Sequence, residues 1–173
     1  MKNSTKLVAI AIAAVATFFG TNVKAQDSSP WRLGIGVEAG APTGNAHDVS
    51  NFSLGGTARL QYGADKGLAW TLTSGYYNMF LKAPYKDIPG AQDLGIVPVK
   101  LGIKAYFAPS FYFGAEAGAG FETNTGGNTK LILSPGLGWS STSWDVGARY
   151  ENFSGQGNNY GLAGLRVAYG FGL

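Results

Sequence analysis

From residue 31 to the end of the chain, bulky apolar side chains alternate with glycine, small polar residues and isolated charges, segment after segment. A side-chain period of two is the signature of β-strands that present two different faces. Read this way, the sequence predicts eight strands at 31–41, 52–62, 68–77, 95–107, 111–122, 130–139, 143–151 and 160–173. In the first, Trp31, Leu33, Ile35, Val37, Ala39 and Ala41 share a face, and Arg32, Gly34, Gly36, Glu38 and Gly40 share the other. In the fourth, Val97, Val99, Leu101, Ile103, Ala105 and Phe107 oppose Pro98, Lys100, Gly102, Lys104 and Tyr106.

Composition decides which face is outside. Only 13% of the chain is charged, while 27 of its 173 residues are glycine. The non-apolar faces therefore hold too few charges for a water-facing surface and too little volume for anything but a narrow interior. The apolar faces are bounded by aromatics, as lipid-facing strands are by interfacial girdles. Trp31, Tyr62, Phe107, Phe111, Trp139, Trp144 and Phe171 are expected at one girdle, and Phe52, Tyr76, Phe121 and Tyr150 at the other.

A barrier-crossing strand takes about 10 residues, so eight of them use about 80. The connections alternate. Those at 63–67, 108–110 and 140–142 are short, and those at 42–51, 78–93, 123–129 and 152–159 are longer. The fold class expected is all-β: an eight-stranded, antiparallel, up-and-down transmembrane barrel with short turns at the end that holds both termini and longer loops opposite.

Residues 1–25 are expected to be removed. Lys2 and Lys6 precede an apolar run, 7–19, too short to span a bilayer, and Val23-Lys24-Ala25 has the small-x-small form of a signal-peptidase site. Residues 26–173 then form one barrel domain. Cleavage takes away Lys2, Lys6 and Lys24, so the 13 basic residues fall to 10 against 10 acidic ones. The excess of positive charge belongs to the leader, and nucleic acid is not an expected partner. With no Cys and one His, thiolate chemistry and His-cluster metal sites are excluded, and no cofactor is expected.

The inward charges are Arg32, Glu38, Arg59, Lys100, Lys104, Glu116, Glu122, Asp145, Arg149, Glu151 and Arg166. Buried charges must find partners. A lumen network is expected among Arg32, Glu38, Arg59, Lys100, Lys104, Glu116, Asp145, Arg149 and Arg166. A tight turn at 108–110 sets Glu116 opposite Gly102, with Lys100 and Lys104 on its diagonals. A hairpin symmetric about 152–159 sets Asp145 opposite Arg166. Such a lumen reads as plugged rather than open, with a narrow small-solute pore as the alternative.

Several stretches resemble a known family: IVPVKLGIKAYF at 96–107, FYFGAEAGAGF at 111–121, SPGLGW at 134–139 and DVGARY at 145–150. Together with the final strand they resemble the small outer-membrane barrels of the OmpX and OmpA-transmembrane type, and more closely the Bacteroidetes outer membrane protein beta-barrel (PorT-like) family. The resemblance implies a Gram-negative outer membrane, lipid as the surrounding partner, and a PorT-like accessory role in protein secretion as one alternative. The last eight residues resemble the signal read by the barrel-insertion machinery, with Arg166, Ala168, Phe171 and Leu173 in its polar, small, aromatic and hydrophobic places. Some barrels of this size modify lipid A with a His and a Ser. Here His47, beside Asp48, and Ser50, Ser53 or Ser154 would have to serve, and nothing in their spacing marks a nucleophile. The expected role is non-enzymatic, structural or recognising a ligand outside the cell. In the longest loop, 78–93, Phe80, Leu81 and Tyr85 are the expected contact residues, unless the third strand continues into it.

Overall fold

The computed structural model of the protein describes residues 30–63 and 67–173, so the predicted leader, 1–25, lies outside the described residues. Eight strands are formed: β1 (Trp31–Gly44), β2 (Ser50–Gly63), β3 (Leu68–Leu81), β4 (Leu94–Tyr106), β5 (Phe111–Glu122), β6 (Thr129–Ser140), β7 (Trp144–Gly155) and β8 (Tyr160–Gly172). Each pairs antiparallel with its sequence neighbour, and β1 pairs with β8, closing the sheet. Closure leaves no edge to be covered.

Facing residues can be followed once around the sheet. Gly34 faces Arg59, which faces Thr73, then Lys100, Gly118, Ile132, Phe153 and Tyr160, and Tyr160 faces Gly44. The path returns to β1 ten residues beyond its start. A stagger of that size on eight strands tilts them by roughly 40° and leaves an interior filled by side chains.

The strands are 12 to 14 residues long, and β1, β2, β3, β6 and β7 are longer than the expected spans. β1 continues to Gly44, β3 to Leu81 and β7 to Gly155 because the neighbouring ladder continues: Thr43 faces Gly161, Leu81 faces Ser50 and Gly155 faces Lys130. The long connections shrink accordingly, and two hold single helical turns, Asn45–Val49 and Ala83–Lys86. The β7–β8 hairpin is also displaced by two residues. Asp145 faces Ala168, and Arg166 faces Gly147, instead of each other.

The apolar faces point outward. Val37, Trp70, Leu101, Phe113, Leu137 and Leu165 are among the most exposed large side chains, Leu101 at 68%. All eleven expected girdle aromatics are on this outer surface. Trp31 lies beside Tyr62 with ring centroids 4.7 Å apart, and Tyr62 faces Trp70, a girdle-level residue the sequence reading left out.

Candidate functional site

The lumen is built in layers. Its middle is a ring of buried charges, set there because every second residue of a strand points inward. β1 supplies Glu38, β2 Arg59, β4 Lys100 and Lys104, β5 Glu116, β7 Asp145, Arg149 and Glu151, and β8 Arg166. Each carboxylate takes at least two cationic partners. Glu116 accepts from Arg59 at 3.0 Å and lies 3.2 Å from Lys100. Asp145 pairs with Lys104, with Arg166 at 3.3 Å and with Arg59 at 3.8 Å. Glu38 pairs with Arg149 and with Arg166 at 3.4 Å, and Glu151 with Lys100 and with Arg149 at 3.1 Å. Neutral groups complete the set. Thr57 donates to Glu38 at 2.7 Å, Thr73 to Glu116 at 2.7 Å and Tyr112 to Asp145 at 3.0 Å. Burial of charge is costly unless the ions are paired and hydrogen-bonded, and this ring meets both conditions.

Towards the longer loops the same inward positions become apolar. On β3 the series runs Thr73, Tyr77, Met79; on β4 Lys100 gives way to Ile96; on β7 Glu151 to Phe153; on β8 Arg166 to Leu162 and Tyr160. With Ile132 and with Ala46 of the first loop they pack as one buried cluster, Phe153 stacking on Tyr160 at 4.9 Å between centroids. Ile96, Ile132 and Phe153 have no exposure at all. Towards the short turns the lumen instead widens into a mouth of about 990 Å³, lined by Arg32, Gln61, Tyr106, Ser140 and neighbouring turn residues.

Most of the predicted lumen residues meet in the ring, with three differences. Arg32 makes no ion pair among the described residues. It lies at the mouth, and its Nη1 donates to the Ser141 carbonyl at 2.9 Å. Lys104 turns away from Glu116 to Asp145, across to β7. Glu151, read as inward but left out of the expected network, joins it. Two residues escaped the sequence reading. The Tyr77 hydroxyl accepts from Arg149 at 2.7 Å and Lys100 at 3.2 Å, and continuing the alternation one step past Tyr76 would have found it. Lys130 is buried at the outer end, donating to the carbonyls of Gln156 and Asn158.

At the outer rim, Phe80 and Leu81 belong to β3 and are half-buried, Phe80 stacking on Phe52, because β3 runs on above the girdle. Tyr85 and Ile88 remain exposed. His47 is exposed, and Ser50 donates to the Phe80 carbonyl at 2.6 Å, so these residues form no nucleophile–base pair among the described residues. Of the insertion-signal residues, Arg166 and Ala168 face inward, and Phe171 and Leu173 are exposed.

No family model matches this sequence, and no curated protein matches it. Solved structures do. The chain superposes on Ail, the attachment invasion locus protein of Yersinia pestis, with a TM-score of 0.60 at 14% identity, over 83% of this chain and 99% of that one. The N-terminal β-barrel domain of Pseudomonas aeruginosa OprF gives 0.54 at 14%, over 80% and 97%. Neisserial surface protein A gives 0.54 at 12%, over 86% and 100%. At these identities the likeness is one of fold: the eight-stranded barrel of small outer-membrane proteins.

Proposed function

We propose that the chain is an integral protein of a Gram-negative outer membrane, exported by a cleaved leader at 1–25, whose closed lumen makes it a structural or surface-interaction protein rather than a pore or an enzyme. The observation that carries this is the stacking of two seals along one axis: the paired-charge ring and, outside it, the fully buried Ile96–Ile132–Phe153 cluster. Eight strands enclose a space just wide enough for side chains to fill, which supports a closed lumen. The band of exposed apolar residues between aromatic girdles supports lipid as the surrounding partner. The barrel-insertion machinery would read Arg166, Ala168, Phe171 and Leu173 during biogenesis. Function then falls to the outer rim, where Tyr85 and Ile88 are displayed to a ligand outside the cell. Membership of the Bacteroidetes PorT-like family rests on the segments quoted above.

The test is gel migration of cold and boiled samples of the protein folded in detergent, with single-channel recording on the same preparation. A heat-dependent shift without steady conductance is the expected result. Steady conductance overturns the closed lumen, and absence of a shift overturns the membrane barrel.

A further inference from the structure

Between the charge ring and the wide mouth lies a cavity of about 10 Å³, room for a single water or small ion. Arg32, Arg59, Lys104 and Arg166 line it, with Asp145 as its one carboxylate. Both oxygens of Asp145 are engaged. Oδ1 accepts from Tyr112 and Arg166, and Oδ2 from Lys104. Arg59 and Arg166 have further partners in Glu116 and Glu38, deeper in the ring. Counting the described residues of the ring and the mouth, six cationic side chains face four carboxylates: Arg32, Arg59, Lys100, Lys104, Arg149 and Arg166 against Glu38, Glu116, Asp145 and Glu151.

Two donors are left over at this place. The Nη2 atoms of Arg32 and of Arg166 are buried and have no hydrogen-bond partner among the described residues. Arg166 is 2% exposed, and its Nη2 lies 3.6 Å from where a Cβ on Gly34 would stand, on the cavity wall. A buried guanidinium nitrogen without an acceptor is costly, and in a site with surplus positive charge an anion answers it better than a water, which brings no charge. Arg32 and Gln61 line both this cavity and the open mouth, which gives an ion its path.

We propose that this pocket binds one small monovalent anion of the chloride class as counter-ion to Arg32 and Arg166, entering from the short-turn mouth. The test is thermal unfolding of the full chain folded in detergent, in sodium chloride against sodium gluconate at constant ionic strength, gluconate being too large for the cavity. The midpoint should rise with chloride and saturate. Gly34→Ala puts a methyl group into the cavity at ordinary contact distances of 3.6–3.8 Å. It should weaken the apparent chloride affinity by about tenfold or more while unfolding normally in gluconate. Equal midpoints in the two salts, or a chloride effect that persists in Gly34→Ala, would overturn the site. Should Gly34→Ala fail to fold, bromide-soaked crystals of the unaltered protein decide: an anomalous peak between Arg32 and Arg166 supports the site, and its absence overturns it.

Discussion

Glu116 and Lys100 meet at 3.2 Å although the ladder sets neither opposite the other: Glu116 faces Gly102, and Lys100 faces Gly118. The pattern recurs around the barrel. Arg59 faces Gly34, Glu38 faces Gly55, Lys104 faces Gly114, and Arg149 faces Gly136 and Gly164. A glycine across the ladder leaves each long side chain the room to slant over its neighbour and reach a partner one or more strands away. The glycines and the ion pairs are therefore one device, and the predictions below follow from it.

Asp145 is the carboxylate on which Lys104, Arg166 and Arg59 converge. Asp145→Asn keeps the shape and strands that positive charge in a buried lumen. It should lower stability by about 3–5 kcal/mol, read from urea unfolding of the protein in lipid vesicles. Adding Lys104→Met should recover a large part of that loss. Additive losses in the double variant would show that the pair is not coupled.

Leu101, 68% exposed on the middle of the outer apolar band, reports on what surrounds the barrel. Leu101→Lys should cost about 2–4 kcal/mol in lipid vesicles, since a lysine ammonium at bilayer depth is poorly solvated. In a barrel surrounded by water the same change would be nearly neutral, so vesicle unfolding separates the two.

Gly34 and Gly36 are neighbours on the same inward face of β1, yet they should answer differently to an added methyl group. At Gly36 a Cβ would stand 2.6 Å from the Ala168 Cβ and 2.8 Å from the Val167 carbonyl oxygen, neither of which can swing away. Gly36→Ala should lose about 1–3 kcal/mol by overpacking, whereas Gly34→Ala should unfold like the parent in gluconate. Matching midpoints for the two variants would contradict the register of β1 against β8.

Tyr85 and Ile88, at the outer rim, carry no part of the core. Replacing both with Ser should leave the unfolding midpoint within about 0.5 kcal/mol of the parent. A large stability loss would assign these side chains to packing instead.

Much of the architecture is legible along the chain. Strand number, inward and outward faces, the girdle aromatics and the short-turn end all follow from a period of two read against the scarcity of charge, because alternation is a property of each strand alone. The errors lie at strand ends. Residues 78–81 read as loop since their polar and apolar side chains break the lipid-facing pattern, while the β4 ladder at Asn78 and Met79 and the β2 ladder through Phe80 and Leu81 keep them extended. Tyr77, the last residue of the expected third strand, follows from that strand's own alternation, and Phe80 and Leu81 match the alternative of a third strand that continues into the loop.

The partners of the charges are a different matter. That Lys100 lies on an inward face is written in its neighbours; that it reaches Glu151, three strands away, follows from a stagger of ten residues around a closed sheet. The same stagger sends Lys104 to Asp145, leaves Arg32 at the mouth without a carboxylate, and gathers Ile96, Ile132 and Phe153 into one seal. Stagger is summed over eight ladders, so a two-residue slip in the β7–β8 hairpin changes which residues face each other without altering either strand's pattern. Facing direction is local chemistry and can be read residue by residue; pairing across a lumen exists only once the barrel has closed.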